Sequence, residues 1–138
     1  MARIGCLTLA TIHPVEYAEL LEGCRDDAEL AARERERLEA DHNDVTVAIF
    51  DSCGIPRSLA EPVFYHEAPE SSSFSDGSRP HQLAHLFYHA KRVADMGLAP
   101  EGERSGIIAE LMLLGGKLGL DADGLGSVVD RIIGEWQQ

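Results

Sequence analysis

The stretch DVTVAIFD, residues 44–51, decides the fold that the sequence predicts. Its apolar residues are mostly β-branched or aromatic, and such residues are enriched in strands. The run has the length of a strand and ends at DSCGIP, residues 51–56, whose composition is typical of a turn. The sequence therefore predicts a β-strand at residues 44–51.

Two further strands are predicted on either side of this one. RIGCLTLATI, residues 3–12, mixes β-branched and apolar residues and stops before Pro14, where a strand cannot continue. EPVFYHEA, residues 61–68, is a possible third strand, and Pro62 favours an edge position. These three runs predict a small sheet.

One long helix is predicted between the first two strands. Residues spaced alternately four and three positions apart form a stripe on one side of this helix, which is expected to face a partner element. They are Tyr17, Leu21, Cys24, Ala28, Ala31, Arg35 and Leu38. A connection of this length permits a right-handed parallel crossover between the strands. The stripe is expected to cover one face of the sheet.

The whole chain, residues 1–138, is expected to form a single domain, because its length suffices for one hydrophobic core. Residues 1–67 form an α/β part in this prediction, 68–80 a flexible loop rich in Ser, Pro, Asp and Gly, and 81–138 a helical part. Three helices are expected in the last part, at 81–97, about 101–119 and about 122–137. The predicted fold class is α+β: a small mixed sheet of two to four strands with a long covering helix, followed by a three-helix C-terminal part.

The charge balance limits the classes of partner. Twenty-four acidic residues against twelve Lys and Arg give a formal net charge of -12. Such a charge repels nucleic acid and anionic lipid, so neither is expected as a direct partner. No apolar run approaches the length of a membrane span. Cys6, Cys24 and Cys53 form no C-x-x-C pair, which fits the reduced thiols of a cytoplasmic protein.

The function that this composition favours is a small acidic protein-interaction module. Such a protein would act as an inhibitor, an immunity protein or a regulator, and would dock on the basic surface of another protein. The predicted partner-binding residues are Asp26, Asp27, Glu34 and Glu36, whose carboxylates would steer association and pair with Arg or Lys. The helix from 107 to 120 is apolar on most sides, so it is either a core helix or a homodimer interface.

A small enzyme is the alternative. In a parallel crossover, the loops that leave the first two strands share the ligand edge of the sheet. His13 would then lie near Asp51 and Cys53, as a general base, an orienting carboxylate and a nucleophile. Residues 51–54 are also typical of a simple turn, and the turn is the favoured interpretation. No sequence motif selects an enzyme class, so the balance leans against an enzyme.

Three histidines four residues apart offer an alternative metal site. His81, His85 and His89 fall on the polar side of a predicted helix, and we expect them to be exposed. A pair at i, i+4 could bind Zn, Ni or Fe with a further ligand from elsewhere, whereas all three cannot share one ion. We expect no cofactor in the favoured interpretation. Glu39 and His42 are interpreted as solvated residues at a helix end.

Overall fold

The computed structural model describes residues 3–116 continuously, and residues 121, 123–124, 126–127 and 130–131 beyond them. Within these residues the chain is helical and contains no strand, so the predicted α+β fold is wrong. In residues 3–116, a 3-10 helix, Pro69–Ser71, precedes the sixth of seven α-helices. Their bounds are α1 Ile4–Ile12, α2 Pro14–Leu21, α3 Asp27–Leu38, α4 His42–Ser52, α5 Arg57–Phe64, α6 Arg79–Leu98 and α7 Glu101–Gly115.

The run at 44–51 lies in helix α4 and not in a strand. The Asp41 side chain accepts hydrogen bonds from the backbone N–H groups of Asn43 (2.8 Å) and Asp44 (2.9 Å), and the Asp44 side chain accepts from Asp41 N. This reciprocal capping box starts a helix directly before the apolar run. Helices α1 and α5 both pack against α4, and an apolar run of this length fits a buried helix as well as a strand.

The predicted first strand, residues 3–12, is helix α1. The hydroxyl groups of Thr8 and Thr11 donate hydrogen bonds to the carbonyl oxygens of Ile4 (2.8 Å) and Leu7 (2.7 Å) one turn earlier. The helix itself therefore supplies acceptors for the hydroxyl groups of these β-branched residues. Gly5 brings α1 close to α4, because a Cβ atom there would lie 1.8 Å from the carbonyl oxygen of His42. The tight contact between these two helices therefore requires glycine.

The predicted third strand and the predicted long helix are also wrong. Residues 61–68 contain the end of α5, which has Pro62 inside it, and the turn that follows. The long helix is two helices, α2 and α3, because Gly23 adopts a positive φ of 73° between them. Asp26 then starts α3 by accepting a hydrogen bond from Glu29 N at 2.8 Å.

Two apolar clusters among the described residues join neighbouring helices. Leu9, Tyr17, Leu20 and Leu30 join α1, α2 and α3, whereas a second cluster joins α6 to α7 and consists of Val93, Met96 and Leu111. No helix among the described residues is long and apolar enough to cross a membrane. The predicted helix at 122–137 lies mostly outside the described residues.

An ion cluster links the start of the chain to α6. Asp27 accepts from Arg3 at 3.2 Å and from Lys91 Nζ at 2.6 Å, and Lys91 also contacts Asp95 at 2.8 Å. Hydrogen bonds to the two carboxylates outweigh the desolvation that burial imposes on Lys91, and its pKa is raised. Residues far apart in sequence are therefore joined at the surface of α3 that faces α6.

Candidate functional site

A buried ion pair joins α3 to the first residue of α4. The Glu34 side chain is 0% exposed, and its Oε2 atom accepts from His42 Nδ1 at 2.5 Å and from His42 N at 2.9 Å. The other carboxylate oxygen accepts from the Tyr17 hydroxyl at 2.7 Å. Both carboxylate oxygens of Glu34 therefore accept hydrogen bonds from buried donor groups.

A second carboxylate approaches the opposite side of the same imidazole ring. Glu67 lies just beyond α5, and His42 Nε2 is 3.1 Å from each of its carboxylate oxygens. The Asn43 amide donates to Glu67 Oε2 at 3.0 Å. We call these five residues, Tyr17, Glu34, His42, Asn43 and Glu67, the buried network.

The buried network holds His42 as an imidazolium. Burial by itself would lower the pKa of His42, but hydrogen bonds to Cys6, Glu34 and Glu67 outweigh it and raise the pKa to about 12. Burial would raise the pKa of Glu67, but the hydrogen bond and charge of His42 lower it to about 2. The pKa of Glu34 is lowered in the same way, because hydrogen bonds from His42 and Tyr17 exceed the effect of burial. One cation thus stands between two carboxylates.

A potential metal ligand set overlaps the buried network. Single ligand atoms of Cys6, Glu34 and His42 lie within 4.8 Å of one another. A metal ion needs a neutral imidazole and a free lone pair, whereas both ring nitrogens of His42 face carboxylates. The geometry therefore fits an imidazolium that bridges two acids better than it fits a metal ligand.

The interpretation of His42 as a solvated residue is wrong, and the signal that was missed is in α3. Leu30, Ala31 and Leu38 lie at helical spacing on the inner side of α3, and Glu34 occupies the same side. An acid on an apolar face requires a buried cation or donor, which here is His42. Tyr17 was expected on the covered stripe, but nothing in the sequence pairs it with Glu34, and Asn43 and Glu67 have no comparable signal.

The predicted partner-binding residues are not on one surface. Glu34 is buried in the network, so it is not accessible to a partner protein. Asp27 lies in the ion cluster with Arg3 and Lys91. Asp26 and Glu36 are exposed, and partner binding at these two positions stays a prediction.

The described residues form no sheet, so there is no sheet edge to bring His13, Asp51 and Cys53 together as expected. His13 lies between α1 and α2, where its Nδ1 atom contacts Glu16 at 3.0 Å. Asp51 is in the last turn of α4, and the exposed Cys53 ends that helix. Within the described part of the chain, no hydrogen bond or ion pair joins His13 to either residue.

The expected exposure of all three helix α6 histidines is wrong, because His85 and His89 are each 4% exposed. His89 Nδ1 donates to the carbonyl oxygen of His85 at 2.5 Å, and the ring of His81 packs on that of His85 with centroids 4.4 Å apart. Helix α6 is covered by α5, α7 and the 3-10 helix, so more than one of its sides is buried. Metal binding by these histidines stays a prediction.

A polar cleft of about 470 Å³ lies beside Glu67. Its walls include residues of the ion cluster and of the buried network, and also Tyr65, Tyr88 and Arg92. Arg92 forms an ion pair with Glu110, which also accepts from the Tyr88 hydroxyl at 2.6 Å. Most charges in this cleft are therefore already paired within the chain.

Comparison with known proteins places these features in context. Residues 1–69 match the HDOD domain family. The chain is also similar to the crystal structure of the MmoQ response regulator from Methylococcus capsulatus str. Bath, with 28% sequence identity and a TM-score of 0.74. That similarity covers 93% of this chain and 47% of the response regulator, so the chain spans about half the length of that protein. No curated protein matches the chain.

Proposed function

This chain belongs to the HDOD domain family, and from that premise we propose that it is a regulatory module that docks on a basic surface of a partner protein through the outer side of helix α3. The family and the similarity to a response regulator indicate a regulatory or signalling module. The acidic docking surface is the specific part of the proposal.

Most arginines in the first half of the chain already form ion pairs within the chain, and this observation supports the proposal. Residues 1–67 contain six arginines and no lysine against fourteen acidic residues. Five of these arginines form ion pairs within the chain, namely Arg3, Arg25, Arg33, Arg35 and Arg37. Exposed acids therefore remain without a cation, and among the described residues Glu22, Asp26 and Glu36 have no ion-pair partner.

Helix α3 presents two of these acids away from the core. Its buried residues, Leu30, Ala31 and Glu34, lie on one side, and Glu36 lies on the opposite side at about 100° per residue. Asp26 caps the start of the same helix. Unpaired carboxylates on an exposed helix attract a basic surface and increase the rate of association.

The test compares two variants of equal charge. Affinity capture from the native host identifies a binding protein, and the association rate is then measured at low and high salt. We expect D26N/E36Q to slow association about tenfold at low salt and to weaken its salt dependence. Asn is as good a helix cap as Asp, so α3 keeps its start.

The matched control is D51N/E61Q, which removes the same charge at exposed positions outside α3. We expect this control to change the association rate less than twofold, because the residues lie outside the proposed interface. Equal slowing by both variants, or an unchanged rate in D26N/E36Q, would show that the outer side of α3 is not the docking surface.

A homodimer through residues 107–120 is a second proposal, and two exposed apolar side chains favour it. Leu111 is buried against α6, but Met112 is 49% and Leu113 is 81% exposed on the following positions of α7. A second copy could cover them. Sedimentation of wild type and L113E distinguishes the cases, since a dimer that uses this surface would dissociate in the variant and a monomeric wild type would contradict the proposal.

A further inference from the structure

An apolar cavity of about 620 Å³ lies between α4, α5 and α6. Its apolar walls come from Phe50, Ile55, Leu59, Val63 and Phe87. Cavities of about 300–1,000 Å³ with mainly apolar walls and a few polar groups are typical of small-molecule sites. The size and the lining of this cavity fit that class.

Three polar residues complete the lining of the cavity. Arg3 and Lys91 belong to the ion cluster, and His66 is 2% exposed. His66 Nδ1 donates to the carbonyl oxygen of Val63 at 2.5 Å, which leaves Nε2 as the acceptor of a neutral ring. Burial lowers the pKa of His66 and favours that neutral form.

The two cations have donors that the ion cluster does not use. A guanidinium has five N–H donors, and Arg3 contacts Asp27 through its NH2 group alone among the described residues. The ammonium of Lys91 has three donors, two of which point to Asp27 and Asp95. Both residues line the cavity, so we expect an acceptor group of a ligand to use these remaining donors while Asp27 keeps its own.

We propose that the cavity binds a small amphipathic carboxylate, with its apolar body between α5 and α6 and its carboxylate at Arg3 and Lys91. The apolar walls accept the body of such a ligand, and the unused donors at the cations match a carboxylate. The walls include residues of the family-matched part, 1–69, and residues of α6 beyond it. This site goes beyond the proposed docking function, because ligand binding does not require a partner protein.

Sodium decanoate and decan-1-ol are the probes, because they share an apolar chain and differ in the head group. Calorimetric titration of the full chain should show saturable binding of decanoate below about 1 mM. We expect A90W to weaken decanoate binding at least about tenfold, because Ala90 is an exposed wall residue and a Trp side chain there fills the cavity. The matched control A32W places Trp at an exposed position of α3 and should leave affinity within about twofold.

The head group is tested at Arg3, whose side chain is 60% exposed. R3Q should weaken decanoate about tenfold, the effect of one lost charged hydrogen bond, and should change decan-1-ol binding less than twofold. Failure of wild type to bind decanoate, or equal losses in A90W and A32W, would overturn the cavity as a ligand site. Equal effects of R3Q on the acid and the alcohol would overturn the carboxylate as its ligand.

Discussion

Replacement of Glu34 by Gln tests whether the buried network contributes stability through its charges. Gln has nearly the same shape as Glu, and the Tyr17 hydroxyl can rotate to accept a hydrogen bond from the new amide. The packing and the hydrogen bonds at this position are therefore nearly retained. The main change is the loss of a negative charge 2.5 Å from the His42 imidazolium.

The expected cost follows from the burial of both partners. The side chains of Glu34 and His42 are 0% and 2% exposed, so solvent screens their interaction little. Removal of one partner from a buried ion pair costs about 3–5 kcal/mol. Glu67 still faces His42 Nε2 in the variant, which places the expected loss near the lower end, at about 3 kcal/mol.

The assay is urea unfolding followed by circular dichroism at pH 7, with E36Q as the control. Glu36 lies two positions along the same helix and is exposed, so the same substitution there should change the free energy of unfolding by less than about 0.5 kcal/mol. A difference of less than about 1 kcal/mol between E34Q and E36Q would refute the argument that the charge of Glu34 stabilises the fold.

Two further predictions concern the contact between α1 and α4 and the response to pH. G5A should destabilise the protein by about 1–3 kcal/mol, because its Cβ atom would overlap the His42 carbonyl. The control G97A in α6 adds a Cβ atom that meets no atom within 4 Å, so it should stabilise the protein by about 0.5–1 kcal/mol. Equal effects of the two variants in thermal melts would contradict the tight contact between α1 and α4. The contribution of His42 to stability is complete below its unfolded pKa near 6.5 and is lost as the pH rises toward 12. The contribution of Glu67 to stability is complete above its unfolded pKa near 4.5 and is lost as the pH falls toward 2. The free energy of unfolding should therefore fall above pH 6.5 by up to about 1.4 kcal/mol per pH unit, and a stability that rises between pH 7 and 9 would contradict the raised pKa of His42.

The sequence indicates where the regular elements lie better than it indicates whether they are helices or strands. Runs at 3–12 and 44–51 do form regular elements, but β-branched content suggested strands where the buried environment produces helices. The evidence for a helix was local, because Asp41 and Asp44 form a capping box at the start of the second run. Gly23 and Asp26 likewise marked the end of one helix and the start of the next.

The buried network was predictable only in part. Glu34 could have been placed inside from its helical spacing to Leu30 and Leu38, because a buried acid demands a partner. The identity of that partner depends on how the consecutive helices α3 and α4 pack, which their spacing alone does not give. Glu67 joins the same ring from a segment 25 residues away, and no local pattern indicates that contact.

The ion cluster at Asp27 bears on which piece of this protein can be moved into another one. The recognisable family region ends at residue 69, but Lys91 of α6 holds Asp27 of α3, and α6 packs on α5. A graft that stops at residue 69 would carry all of the family region and still leave Asp27 without its lysine and α5 without its cover. The smallest transplantable part therefore extends at least through α6, and the region that the family match covers is shorter than the set of helices that pack together.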